Sequence, residues 1–432
     1  MHRVKKLLII SYYWPPAGGP GVQRWVKLSK YLSQLGYQCH VVTVDENKGS
    51  YPSIDRSLQK DVDPGIRVTK TASFEALKVF SSLFKKEKVP YAGIPDKSKM
   101  SSVGRLALYV RSNFFIPDAR IGWNKYALEA CLKIMEAEKI DALVTTSPPH
   151  STQLIGLALK KKFPQLKWLA DLRDPWTDIY YYDKLSHTGN SKKKDLALEK
   201  KVLENADAIT TVSAHIRELF CAKSEKVPAS KITVLPNGYD EEDFTAGAFE
   251  PNKAFTIAHT GTINSNYNVS GFVAALRRFS GQREVAMKFV GNVDPLIRQQ
   301  FEKELGKIVS FTSYVPHSEI TREMQRADML FLAIPDNPKN KGILTGKLFE
   351  YLASEKPILG IGPADGDAAA IINECGAGSM FEFGDEEGML AYLAEKYAEW
   401  SESRVTRLSG AAYKKYSRRE LAKQVAALLN KL

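Results

Sequence analysis

The second half of the chain alternates short apolar runs with amphipathic stretches, and this alternation limits the possible folds more than any other feature. Runs at 255–259, 286–290, 308–314, 329–334 and 357–361 read as strands, with helices between them, for example at 319–326 and 347–354. Continuously apolar strands separated by helical segments imply a parallel sheet covered by helices on both faces. The first half repeats the pattern less regularly. A strand at 4–10 is ended by Pro15-Pro16-Ala17-Gly18-Gly19-Pro20-Gly21, because proline and glycine do not continue a strand. Trp25, Leu28, Leu32 and Leu35 then recur at helical spacing, Gly36 stops the helix, and 39–44 is the next strand. Further on come a helix at 125–138, a strand at 142–146, a helix at 151–161, a strand at 168–171, a lysine-rich helix at 192–205 and a strand at 208–212. The fold class predicted is α/β, with two doubly wound, Rossmann-like parallel sheets facing each other across a cleft.

Charge divides the chain at the turn Pro236-Asn237-Gly238. Residues 1–237 carry 38 basic and 23 acidic side chains, a net of +15, whereas 238–432 carry 23 and 26, a net of −3. We therefore expect an N-terminal domain at 1–237 and a second domain at 238–412. A basic terminal helix at 413–432, net +5, is expected to return to the first domain. With 432 residues, 44% hydrophobic and 25% charged, the chain can bury large cores, and a disordered or fibrous chain is excluded. The basic half suits nucleic acid, an anionic membrane surface or a phosphorylated substrate. Its most basic stretch, 74–125, has ten Lys/Arg against four Asp/Glu, interleaved with Phe80, Phe84, Tyr91, Tyr109, Phe114, Phe115 and Trp123. That stretch reads either as a solvated insertion or as an attachment to an anionic bilayer. Cys39, Cys131, Cys221 and Cys375 form no C-x-x-C, so neither disulfides nor zinc are expected, and a reducing compartment fits. The apolar run at 7–10 is short for a signal peptide, and no run reaches 18 apolar residues. The expected location is the cytoplasm, with peripheral contact at the inner face of the membrane.

Ligands of open α/β sheets lie beyond the carboxyl ends of the strands. The loop Gly18-Gly19-Pro20-Gly21 is one such place: it lets backbone approach a ligand and leads into a helix amino end. Arg24 stands at the third glycine of a G-x-G-x-x-G pattern, which argues against a dinucleotide site; a tight turn with no ligand is the alternative. In the second half, a loop at 338–342 leads into a helix starting near Thr345. Its first-turn amides and Lys347 can bind a diphosphate, and Glu350, one turn on, can accept bonds from two ribose hydroxyls. In the first half, Ser147-Pro148-Pro149-His150 and Asp171-Leu172-Arg173-Asp174-Pro175-Trp176 each follow a strand. Asp174 can orient an acceptor hydroxyl and Arg173 can bind an acceptor phosphate, unless the two form a buried pair. Asp61-Val62-Asp63 and Asp365-Gly366-Asp367 look like metal-binding D-x-D pairs, but Asp367 reads better as a helix N-cap, and no metal is expected.

Glu350-Tyr351-Leu352-Ala353-Ser354-Glu355-Lys356-Pro357 resembles the later part of a signature of the retaining glycosyltransferases of family 4, which have the GT-B fold. That signature is a Glu, seven residues, then Glu-Ala-Met-Ala-x-Gly-x-Pro. The family's first Glu, which contacts the donor sugar or its phosphate, falls here at Gly342. Lys347, three residues before Glu350, resembles a branch acting in bacterial surface-polysaccharide synthesis. Val234-Leu235-Pro236-Asn237-Gly238-Tyr239-Asp240 resembles the interdomain N-G-x-D segment, and His259-Thr260-Gly261-Thr262 the glycine turn of the donor domain. The family often has Arg and Lys in the neighbourhood of Thr262 and Asn268; Lys347 and Arg24 are the candidate replacements. Phe289-Val290-Gly291-Asn292 and Tyr314-Val315-Pro316 resemble segments whose backbone reads the base.

The resemblance implies a hexosyltransferase that moves a sugar from a nucleotide diphosphate donor to a hydroxyl of a glycan or lipid-linked acceptor, with retention and without a cofactor. Donor binding would fall to Gly18, Gly19, Arg24, Gly261, Thr262, Val315, Lys347, Leu348 and Glu350. His150, matching a family histidine that contacts the transferred sugar, and Asp174 would be the catalytic pair, with Arg173 holding the acceptor and domain closure completing the site. Four alternatives stay open. One is a nucleotide-sugar epimerase of the same fold, and another a dehydrogenase using Asp45. The others are a non-catalytic nucleic-acid-binding protein and a sugar-binding pseudoenzyme that lacks the Glu at Gly342.

Overall fold

The computed structural model describes residues 4–75, 100–244, 249–281, 283–313, 315–408 and 410–432, and only the backbone of Pro20 and Ser318. Phe80, Phe84, Tyr91 and Tyr314 lie outside the described residues. The chain divides into two compact units, Met1–Asn237 with Arg418–Leu432, and Gly238–Ser417.

The first unit is built from β1 (Lys5–Ile10), α1 (Pro20–Gln34), β2 (Tyr37–Val44), β3 (Arg67–Thr71), α2 (Ser102–Phe114), α3 (Asn124–Ala137), β4 (Ala142–Ser147), α4 (Ser151–Lys162), β5 (Lys167–Leu172), α5 (Gly189–Asn205), β6 (Ala208–Thr211), α6 (Ala214–Cys221) and β7 (Ile232–Val234). Its seven parallel strands lie in the order β3-β2-β1-β4-β5-β6-β7. β1 shows why the strands read as unbroken apolar runs. Leu8 and Ile10 enter one core and Leu7 and Ile9 the other, so both faces of the sheet are buried. Each such side chain contributes about 1.5–3 kcal/mol on burial.

The second unit contains β8 (Phe255–Thr260), α7 (Ser270–Ser280), β9 (Val285–Val290), α8 (Pro295–Leu305), β10 (Val309–Thr312), α9 (His317–Arg326), β11 (Met329–Ala333), α10 (Gly346–Ala353), β12 (Ile358–Ile361), α11 (Asp367–Glu374), β13 (Gly378–Phe381) and α12 (Glu386–Ser403). Six parallel strands run in the order β10-β9-β8-β11-β12-β13. The strand order reverses direction between β1 and β4 in the first sheet and between β8 and β11 in the second. Loops leaving those carboxyl ends splay apart there and open a crevice.

Two expectations change. The terminal helix α13 is Arg418–Lys431, not 413–432. Residues Ala412–Tyr416 form a 3-10 turn whose Tyr413 and Tyr416 are buried in the second unit's core, Tyr416 lying 5.4 Å from Phe349. Only α13 packs in the first unit, where its Leu421, Ala422 and Val425 share a core with α1 residues Val22, Trp25 and Val26. Asp367 is the first residue of α11 rather than its N-cap, which is Gly366; its carboxylate still favours the helix dipole. The other aspartates of the D-x-D look-alikes are spent locally. Asp61 pairs with Lys27 at 2.9 Å, Asp63 accepts from the Gly65 amide at 2.8 Å, and Asp365 pairs with Lys341 at 2.5 Å. Among the described residues no group of three or more His, Cys, Asp or Glu is placed to hold a metal.

Candidate functional site

In the second unit, Thr260 ends β8, and its amide donates to the Tyr351 hydroxyl at 2.9 Å, tying α10 to the strand end. Gly261 follows with φ of +84°, and a Cβ there would stand 3.0 Å from Lys347 Cε. Glycine thus supplies both the left-handed turn and room for the lysine stem. Lys347 Nζ donates to the Thr262 carbonyl at 2.9 Å and lies 3.2 Å from His259 Nε2. Burial pushes the Lys347 ammonium down to about 8, against an upward pull from Glu350. Thr345 occupies the N-cap of α10, yet its side chain caps nothing and its hydroxyl is buried without a partner. No acidic residue sits in the first turn, so the positive end of the helix meets a desolvated ammonium.

Glu350, half-buried, lies 3.8 Å from His317 Nε2, which is 3.5 Å from Asp243. His317 opens α9, two residues after Val315, so the segment following β10 comes to Glu350. Gly261, Thr262, Lys347 and Glu350 therefore share one end of one sheet. Leu348 does not join them as expected. Its side chain is fully buried in the core and its amide is taken by the Thr345 carbonyl at 3.2 Å. The residue that sequence reasoning passed over is His259, quoted in the glycine-turn motif but given no role.

In the first unit, Gly19, with φ of +107° and open space around its Cβ position, sits at the N-cap of α1, which has neither a side-chain cap nor an acidic first turn. Gly18 packs instead. Its amide donates to the Ser53 carbonyl at 3.0 Å, and a Cβ would meet Ser53 Oγ at 2.9 Å. A Cβ on Gly21 would lie 2.1 Å from Arg173 Nη1, so the Arg173 guanidinium rests directly on the first turn of α1.

Arg24 requires a correction. It is 1% exposed and forms a buried ion pair with Asp171, Nη2 to Oδ1 at 2.8 Å, while its Nη1 donates to the Pro236 carbonyl at 2.7 Å. Its charge is matched, so it cannot replace a phosphate clamp. Asp171 also accepts from Trp25 Nε1 at 2.7 Å and from the Thr146 and Thr210 hydroxyls, each at 2.8 Å. Burial alone would raise this carboxyl, but Arg24 above all holds it below the usual range. The buried pair considered for Arg173 and Asp174 is thus made by Arg24 and Asp171.

Arg173 donates to the carbonyls of Ser147 at 3.0 Å and Pro148 at 3.2 Å, joining the two loops predicted to carry the acceptor. His150 stacks on Trp176 with ring centres 4.8 Å apart and planes at 13°. Burial, helped by Arg173, pushes its imidazole down to about 3, and its Nδ1 is buried without a partner. Asp174 is raised by burial against the pull of Arg173. Trp176 has φ of +28°, a backbone state unfavourable for a bulky residue, and its indole N–H donates to Asp195 at 2.9 Å. The site in this unit is therefore a neutral imidazole, a half-buried carboxyl and a guanidinium beside an uncapped helix.

A profile of Glycosyltransferase Family 4 matches residues 21–243. The chain belongs to Glycosyltransferase Family 4. No curated protein sequence matches this glycosyltransferase. Among solved structures it resembles HepE of Anabaena in complex with UDP-glucose, at 13% identity and TM-score 0.61, over 99% of this chain and 100% of that one. It also resembles a glycosyltransferase of Rickettsia africae, at 14% identity and TM-score 0.62, over 99% and 98% of the two chains. A putative UDP-N-acetylglucosamine 2-epimerase of Listeria monocytogenes is similar at 12% identity and TM-score 0.55, over 99% and 96%. At such identities the likeness is one of fold. The glycosyltransferase has the GT-B architecture of two doubly wound sheets.

Proposed function

We propose that this glycosyltransferase moves a hexose from a nucleoside diphosphate sugar to a hydroxyl of a glycan or lipid-linked acceptor, with retention of configuration. The observation that carries the reading is the uncapped start of α10 with the half-buried Lys347 ammonium against it, without a carboxylate ion pair among the described residues. A desolvated cation at a helix amino end is a place for an anion with more than one charge.

The chemistry follows from what each group can do. The first-turn amides of α10 and Lys347 hold the donor diphosphate and stabilise its negative charge as the bond to the sugar breaks. Glu350 accepts hydrogen bonds from ribose hydroxyls. Gly261 and Thr262 let the sugar-phosphate approach backbone, and the Val315 backbone reads the base. On the acceptor side His150, neutral over the working range, contacts the sugar as an uncharged hydrogen-bonding ring. Arg173 meets an acceptor phosphate and Asp174 orients the attacking hydroxyl. Rate enhancement comes from positioning and from stabilising the leaving group, not from a strong protein nucleophile. No cofactor enters this scheme.

A lipid-linked acceptor would bring the protein to the inner face of a membrane. The outer surface of α2 supports this. Val103, Leu106, Tyr109 and Phe114 are exposed, while Gly104, Ala107, Leu108 and Ser112 are buried, so four apolar side chains point outward. Arg105 and Arg111 are the charged residues of this helix, which suits anionic lipid. No helix among the described residues is long and apolar enough to cross a membrane.

HepE was solved with UDP-glucose, so UDP-sugars are the first donors to test. Thermal stabilisation by a panel of nucleotide sugars identifies the donor. NMR of the product anomer then tests retention, and incubation of donor alone tests for epimerisation. A panel that stabilises nothing would remove the donor-site reading.

A further inference from the structure

His259 lies in the middle of the second sheet, wholly buried, and the roles proposed above leave it unused. Its Nδ1 is 2.9 Å from the Phe331 carbonyl on the neighbouring strand β11. A carbonyl only accepts; the Phe331 and Thr262 carbonyls both border the ring, and with the proton on Nδ1 toward Phe331, Nε2 presents a lone pair. That lone pair faces Lys347 Nζ at 3.2 Å. Burial first, and Lys347 next, hold the ring well below the usual imidazole range, so it stays neutral.

An ammonium has three N–H donors. In Lys347 one is directed to the Thr262 carbonyl and one to His259 Nε2, which leaves one. Both acceptors are uncharged. No ion pair of Lys347 occurs among the described residues, although Glu350 lies one turn further along the same helix. The contrast with Arg24, whose charge is cancelled by Asp171, is direct. A carboxylate where His259 stands would orient the lysine equally well and would neutralise it.

We propose that His259 is a positioning residue for the donor: with the Thr262 carbonyl it fixes two of the three N–H bonds of Lys347 and leaves the third, with the whole positive charge, for the diphosphate. This rests on the donor-site reading above and goes beyond it in assigning how the lysine is aimed and why its charge is unspent. A linked consequence is proton uptake. Near pH 8 the empty site holds Lys347 partly deprotonated, whereas a bound diphosphate favours the ammonium, so donor binding takes up a proton. The groups that face the lysine are His259, Glu350 and, through Glu350, His317 and Asp243.

The test is calorimetry on the full chain with UDP-glucose, with GDP-mannose and dTDP-glucose in parallel, at pH 8 in two buffers of different ionisation enthalpy. The expected result is uptake of about half a proton. In Lys347→Arg, which stays charged, uptake should vanish. His259→Gln should weaken binding by about tenfold or more, because the lysine loses its fixed aim. His259 is buried, so a wild-type readout is also needed. The ring ¹⁵N spectrum should show the Nδ1–H form, with Nε2 shifting when donor is added. Donor binding with no proton uptake, an Nε2–H ring, or a folded His259→Gln variant with wild-type affinity would each overturn the positioning role while leaving the donor site intact. Absence of binding by all three donors would overturn both.

Discussion

The two switch points of this molecule each hold a cation, Arg24 buried and Lys347 half-buried, and they treat it in opposite ways. In the first unit Arg24 meets Asp171, which Trp25, Thr146 and Thr210 also bind, so charge and hydrogen bonds are balanced. In the second unit Lys347 meets a neutral histidine and a carbonyl. The first arrangement holds a sheet together. The second stores an unbalanced charge that only an incoming anion can satisfy. A buried basic residue near a strand end is thus informative only once its partner is known.

The comparison breaks most visibly if the Arg24–Asp171 pair is not structural. Asp171→Ala strands a buried guanidinium and should cost about 3–5 kcal/mol in urea unfolding. Adding Arg24→Met should recover much of that loss. If Asp171→Ala left stability intact and removed substrate binding, the pair would belong to the ligand site instead.

Lys347→Met probes the other side of the contrast. Donor affinity measured by calorimetry should fall roughly 100-fold, the loss of a charge-assisted contact of about 2–3 kcal/mol. The empty protein should become more stable, by on the order of 1–2 kcal/mol at pH 7, because a buried ammonium has been removed. The pH dependence checks the sign. Lys347 has its folded value lowered to about 8 from an ordinary 10.5, so between those limits the unfolded chain binds more protons. Wild-type apo stability should therefore carry a rising contribution from pH 8 to 10.5, and this contribution should be missing from Lys347→Met. A destabilised variant would mean that the lysine is structural, like Arg24.

Glu350→Ala should weaken nucleotide binding about tenfold, the value of a hydrogen-bonded carboxylate. The deficit should shrink for a 2′-deoxyribose nucleotide, which has one hydroxyl fewer to lose. An equal deficit for both would assign Glu350 to His317 and α9 rather than to ribose.

Much of this was legible in the sequence, and the residues explain why. The strands β1, β4, β5, β8, β9, β11 and β12 are central, buried on both faces and therefore written as apolar runs. β3 and β13 are edge strands, each with mostly half-buried or exposed positions, so no apolar run marks them. That Lys347 and Glu350 sit on one helix was legible because spacing along one element is enough. Arg24 was misjudged because its partner is 147 residues away, and nothing local distinguishes a matched guanidinium from an unmatched one. Leu348 was misjudged because its neighbours in the motif carry the chemistry while helical geometry turns it inward. His259 was overlooked because its importance lies in a strand neighbour, Phe331, and a helix, neither adjacent in sequence.

The smallest expected effect concerns Trp176, where the two loops of the first unit are joined. The indole stacks on His150 from a strained backbone, and its N–H is bound by Asp195, a carboxyl that burial raises to about 6. Trp176→Phe keeps an aromatic face for His150 but removes the donor to Asp195, so the imidazole stays stacked while its platform loosens. Turnover should drop only about threefold with donor KM unchanged, a misplacement effect rather than a lost contact. The stability loss, about 1.5 kcal/mol for a bond to a charged group that keeps a second donor, should be larger at pH 8 than at pH 5. At pH 8 Asp195 is ionised and keeps only the Tyr182 hydroxyl as a donor, whereas at pH 5 it is largely protonated and needs the lost bond less. A change in donor KM as large as the change in turnover would show that Trp176 touches the donor itself, and the division of labour between the two switch points would have to be redrawn.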